Sequence, residues 1–170
     1  FDLQEQQKKL VERVPISEWI STPTAMAFHP QTSTVLVGGV SGGGGGGGAP
    51  AVSLFRVVAS GANNEFSVVH EWSSNRERTF APTRGSGKSA GCVVQVAFSP
   101  SGTHATAVMS TGTCYLVHCN VEDPWCKPLS ALSWPVTQVQ WFDDNFVVAV
   151  DAASGHLSCV RVISDSRSAA

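Results

Sequence analysis

Few of the residues able to do chemistry in this chain stand at the spacing that chemistry needs. Arg84-Gly85-Ser86-Gly87-Lys88-Ser89 has the end of a phosphate-binding loop, in which Gly-x-x-x-x-Gly-Lys-Ser/Thr lets backbone N–H groups cradle phosphate ahead of a helix. The first glycine of that motif is replaced by Pro82, and the residues from Cys92 to Phe98 alternate as a strand. The segment therefore reads as a flexible basic loop. Its cations Arg76, Arg78, Arg84 and Lys88 fall within thirteen residues, a density that could meet a phosphate backbone or an acidic partner. Phe80 is the one aromatic among them for stacking, and a solvated linker is the plainer reading.

The remaining candidates are weighed the same way. Cys92, Cys114, Cys119, Cys126 and Cys159 make an odd, irregular set, which argues against a disulfide framework. Reduced thiols imply an intracellular protein, cytoplasmic or nuclear. Cys114, His118, Cys119 and Cys126 invite a zinc reading, but Cys114 and Cys119 fall on opposite sides of one strand. Asp143-Asp144 and Glu122-Asp123 lie in turns, where short carboxylates bond locally, and no Ser/His/Asp triad can be read from sequence order. No catalytic residue, cofactor or metal is assigned, so the chain is read as a non-enzyme. Residues 42–48, all glycine, have no side chains to bind with and form a flexible insert. Trp125, between Pro124 and Cys126, is expected in a loop and is the aromatic candidate for an exposed partner contact.

The elements that must position these residues are strands. Charged residues are 14% of the chain and hydrophobic ones 42%, and Val, Thr, Ser and Gly favour strands and turns over helices. No apolar run reaches the ~18 residues that would span a bilayer, and the net charge of −2 gives no overall case for nucleic acid. The polar start, Phe1 to Lys9, has no signal peptide, and the missing initiator Met suggests an excised or processed chain.

One pattern recurs three times: Pro23-Thr24-Ala25-Met26-Ala27-Phe28-His29-Pro30, Val93-Val94-Gln95-Val96-Ala97-Phe98-Ser99-Pro100 and Val136-Thr137-Gln138-Val139-Gln140-Trp141-Phe142-Asp143. In each, alternate residues (Met26/Phe28, Val96/Phe98, Val139/Trp141) point to one face, the signal of a half-buried strand. Second strands are expected at 34–38, 104–109 and 146–150. A turn and third strand follow within 111–118 and 154–161, matched by 50–56 in the first copy, with Gly112 and Gly155 supplying positive φ at two of the turns. Val96 to Val139, and Val117 to Val160, are each 43 residues apart, within the ~40–45-residue period of one four-stranded propeller unit. The first two copies are 70 apart, a difference that the glycine run and the stretch 75–91 account for.

At Ala97-Phe98-Ser99-Pro100-Ser101-Gly102 and Thr111-Gly112-Thr113 the chain resembles the WD40-repeat family. Where that family closes its third strand on Trp-Asp, this chain has Phe55-Arg56, Val117-His118 and Val160-Arg161, and the Gly-His pair before each first strand is missing. The resemblance implies an all-β WD40-like propeller segment of about three four-stranded blades, incomplete at both ends. It implies apolar packing between sheets in place of a His/Asp network. The expected units are 1–16 (the end of a preceding blade, or a helix), 17–74, the basic loop 75–91, 92–135, the partial unit 136–163 and a tail, 164–170. The implied function is a protein–protein interaction scaffold in a multi-subunit complex, its partners other protein subunits including the rest of the propeller. An RNA-associated propeller using residues 76–88 is the alternative, and a propeller enzyme is the third reading.

Overall fold

The computed structural model describes residues 15–29, 31–41, 48–60, 65–74 and 91–162. Outside them lie residues 1–14 with their strand-or-helix alternative, most of the glycine insert, most of the basic loop and the tail. Among the described residues are eleven strands and no α-helix: β1 (Ile20–His29), β2 (Thr34–Ser41), β3 (Pro50–Ser60), β4 (Glu65–Ser73), β5 (Val93–Phe98), β6 (His104–Met109), β7 (Cys114–His118), β8 (Trp125–Pro128), β9 (Val136–Trp141), β10 (Phe146–Asp151) and β11 (Leu157–Arg161). The three sequence copies become three antiparallel meanders: sheet one is β1-β2-β3-β4, sheet two β5-β6-β7-β8 and sheet three β9-β10-β11.

The second strands start where the alternation places them, at Thr34, His104 and Phe146. β2 and β3 are longer than their alternation suggests, because β2 continues to pair with β3 as far as Val40 with Pro50, and β3 beyond Arg56 pairs with β4, from Val57 with Val68 to Ser60 with Glu65. The β6–β7 turn is closed by Gly112, at φ 87°, and the β10–β11 turn by Gly155, at φ 71°. Gly112 has a second constraint, since a Cβ there would stand 2.7 Å from Pro135 Cβ.

The sheets stack in chain order through their first strands: β5 lies against β1 and β2, and β9 lies against β5 and β6. Between sheets one and two a core forms from Leu36, Val52, Leu54 and Trp72 on one side and Val93, Val96, Ala105, Ala107 and Val117 on the other. Between sheets two and three the core joins Val108, Cys114 and Leu116 to Val139, Trp141, Val147, Ala149 and Val160. At Gly38 the first two sheets come so close that a Cβ would stand 2.5 Å from Val93 Cγ1.

Polar side chains then set the register of these junctions. Gln95 of β5 reaches β9 with both amide atoms: Nε2 donates to the Val139 carbonyl (2.8 Å) and Oε1 accepts from the Val139 N–H (2.9 Å). Trp141 Nε1 donates to the Ala97 carbonyl at 3.0 Å. Thr24 of β1 donates to the Val93 carbonyl, and His29 Nε2 donates to the Pro100 carbonyl at 2.9 Å. Each hydrogen bond contributes about 0.5–1.5 kcal/mol net, while each fully buried Val or Leu contributes about 1.5–3 kcal/mol. The apolar clusters therefore supply the bulk of the cohesion, and the bonds select one alignment of it.

Met26 and Phe28 alternate as expected, pointing away from sheet two, but they are 71% and 55% exposed. Their counterparts point the same way relative to chain order and meet a preceding sheet: Val96 is 7% exposed, Val139 1% and Trp141 6%. On β1 the apolar residues that enter the junction with sheet two are Ala25 and Ala27.

Replacing Gln95 by Leu leaves the Val139 N–H and carbonyl without partners. A loss of about 1–3 kcal/mol per stranded group is expected, read as a lower urea midpoint. An unchanged midpoint would mean that water replaces the amide at no cost.

Candidate functional site

Of the residues singled out in the sequence, Arg76, Arg78, Arg84 and Lys88 lie outside the described residues. Trp125 lies within them, but not in a loop: it is the first residue of β8, paired with His118. The correction has a plain cause. Pro124 ends the preceding turn, and Trp125-Cys126-Lys127 then alternates, with Cys126 buried against Val117 and Trp125 half-buried toward the sheet-three side.

Around Trp125 a small aromatic and charged cluster gathers from three neighbouring strands of sheet two. His104 begins β6 and His118 ends β7; they are paired in register, with ring centroids 5.0 Å apart. Trp125 stacks on His118 at 5.1 Å with planes 18° apart, and its centroid is 6.0 Å from that of His104. Lys127 Nζ sits 4.4 Å from the centroid of the indole, within the range of a cation–π contact. His118 Nδ1 donates to the Asp123 carbonyl at 3.0 Å, which fixes that ring's orientation. His104 Nδ1 lies 3.1 Å from Thr103 Oγ1.

Asp144 reaches this cluster from sheet three. Its carboxylate accepts from the Ser101 N–H (3.0 Å) and the Ser101 hydroxyl (2.7 Å), and those bonds hold its carboxyl below the usual carboxylate range. Sequence reasoning placed both Asp143 and Asp144 in local turn bonding. Asp143 does so, accepting from the Asn145 and Phe146 N–H groups. Asp144 instead clips the β9–β10 turn to the β5–β6 turn. The two carboxylates are adjacent, and nothing in their residue types separates the two roles.

Burial lowers the pKa of His104 from the ordinary 6.5, and the neighbouring His118 and Lys127 lower it further, against a pull upward from Asp144. The cluster thus favours one neutral ring beside Trp125, a surface suited to stacking and to accepting a hydrogen bond. Cys114 and Cys119 offer no comparable reactivity: burial pushes their thiols up to about 12, far from the thiolate form that reacts or binds metal. Cys114 faces sheet three and Cys126 faces sheet one, so sheet two separates them. Among the described residues no group of His, Cys, Asp and Glu could hold a metal ion, and no helix is long and apolar enough to cross a membrane.

No protein-family model matches this chain, and no curated protein matches it.

Because the pKa of His104 is lower folded than unfolded, its contribution to stability is present above about pH 6.5 and is lost as the pH falls through the folded value. An NMR titration is expected to place the His104 midpoint below 6.5. In His118→Ala that midpoint should rise, since a neighbouring like charge is removed. An identical His104 midpoint in the variant would show that the two rings do not interact.

Proposed function

We propose that the three sheets are successive blades of a WD40-like propeller, and that the chain serves as a rigid scaffold for protein–protein interaction. The observation that carries this reading is the serial stacking of meander sheets through their first strands, β1 on β5 and β5 on β9. Sheets arranged this way form a stiff body, and the turns of every blade emerge at its two rims, where partners can be held without reactive side chains. The 43-residue period supports the reading as well, because it relates Gln95, Val96 and Phe98 to Gln138, Val139 and Trp141, residues that occupy the same places on β5 and β9.

The His104–His118–Trp125–Lys127 cluster is the proposed partner contact. A half-buried indole already held by stacking loses little freedom on binding, which is why Trp and its neighbours recur as binding hot spots. The partner is a protein subunit that presents an acidic or aromatic group to Lys127 and Trp125.

The test is recovery of partners on the immobilised chain before and after nuclease treatment, identified by mass spectrometry. The expected result is a stoichiometric protein that survives nuclease and binds at least roughly tenfold more weakly to Trp125→Phe/Lys127→Ala. Changing Arg76, Arg78, Arg84 and Lys88 together to Ala is expected to leave that binding in place. Partners that vanish with nuclease and with the four-residue change would sink the scaffold reading in favour of RNA association.

A further inference from the structure

The cluster on sheet two carries one fixed positive charge, on Lys127, and two rings that a proton turns into cations. Direct cross-strand pairing sets His104, His118 and Trp125 in one line across β6, β7 and β8. Lys127, two residues after Trp125, shares that face and lies over the indole. Both Nδ1 atoms are engaged, His118 with the Asp123 carbonyl and His104 with the Thr103 hydroxyl. Among the described residues, no hydrogen bond or ion pair reaches His104 Nε2, His118 Nε2, Trp125 Nε1 or Lys127 Nζ. A neutral His118 that donates from Nδ1 keeps a lone pair on Nε2, so a second proton on that ring goes there.

The surroundings select what docks. His104 faces His118 from β7, Lys127 from β8 and Asp144 from the β9–β10 turn, while β5 carries no charged residue. Asp144 is held by Ser101 and makes no ion pair with Lys127. An outside carboxylate therefore suits Lys127 and, with one added proton, the imidazoles. Glu122, Asp123 and Asp144 are exposed in the turns beside the cluster. They repel an extended polyanion such as RNA more than a single side-chain carboxylate. Burial, His118 and Lys127 all hold the His104 pKa down, against Asp144. An arriving anion opposes the two charge effects and favours the protonated ring, so proton and carboxylate strengthen each other's binding by the same factor.

We propose that this cluster captures the carboxylate of an acidic protein segment and takes up one proton from solvent on the His104–His118 pair as it does so. The inference rests on the partner-contact reading above and narrows the partner to an acidic one. The pair takes one proton rather than two, because imidazolium rings with centroids 5.0 Å apart repel each other beside Lys127. The bound pair holds more protons than the free pair. Affinity accordingly rises as the pH falls from about 7.5 to about 6, and drops again near pH 4, where a glutamate side chain is itself protonated.

NMR titration of the whole chain with a blocked pentapeptide carrying one central glutamate tests this, with the glutamine peptide as the neutral control. The expected result is binding of the glutamate peptide alone, roughly three- to tenfold tighter at about pH 6 than at about pH 7.5. Saturating peptide should raise the His104 midpoint by about one pH unit. His104→Gln with His118→Gln should abolish the pH dependence. Lys127→Met, which keeps a side chain over the indole, should weaken binding several-fold at both pH values. Arg56→Gln, on β3 of sheet one, should change neither. Three results would overturn the proposal: no response of either ring to the glutamate peptide, equal affinity at the two pH values, or decauridylate RNA moving the rings in the peptide's place. Each leaves the partner contact standing where Trp125→Phe/Lys127→Ala still weakens the nuclease-resistant partner. A partner indifferent to those two changes would overturn the contact reading itself.

Discussion

Strand β5 is packed on both sides, and the rest of the structure follows from how it satisfies that position. Val93, Val96 and Phe98 turn toward sheet one, while Gln95 and Ala97 turn toward sheet three. Large apolar residues on one face and small or amide-bearing ones on the other let two sheets approach a single strand without a void or a clash. Closeness is enforced from the neighbouring strand as well, where Gly38 leaves no room for a Cβ against Val93. A half-buried amide would ordinarily be a liability, since an unpaired polar group costs more than a satisfied one returns. Gln95 avoids this by pairing with both polar groups of one residue, Val139, and so turns a cost into a register mark.

The same economy appears at the turns. His29 bonds the Pro100 carbonyl, and Asp144 bonds Ser101, so each β-turn beside the first strands is tied to the turn of the adjacent sheet. These clips are more exposed than the cores and contribute less energy. They lie where the sheets would otherwise splay, and one of them ends beside the His104–Trp125 cluster. The cluster's electrostatics are thereby linked to the packing of sheets two and three: Asp144 both holds the junction and raises the proton affinity of His104. The proposed contact surface and the scaffold that carries it share a residue.

Much of the fold was legible in the sequence. The alternation at Val93–Phe98 and Val136–Trp141, the second strands beginning at His104 and Phe146, and the glycine turns at Gly112 and Gly155 all follow from local rules: side chains of a strand alternate, and a tight turn needs positive φ. The 43-residue period between Val96 and Val139 located two equivalent units. β8 was harder to read, because Pro124-Trp125-Cys126-Lys127 is too short to establish a pattern and its first residue follows a proline. Trp125 accordingly read as a loop residue.

What the sequence by itself determined is the order of the first three strands of each sheet with their turns, and which face of each first strand is apolar, because both depend on neighbours within a few positions; the fourth strands β4 and β8 were not located. What only the tertiary structure decided is whether an apolar face is covered. Met26 and Val139 obey the same alternation, yet one is exposed and the other buried, because burial depends on a sheet arriving from a distant part of the chain. The same holds for Asp143 and Asp144: adjacent carboxylates, one closing its own turn and the other reaching Ser101 across a junction that no local spacing encodes.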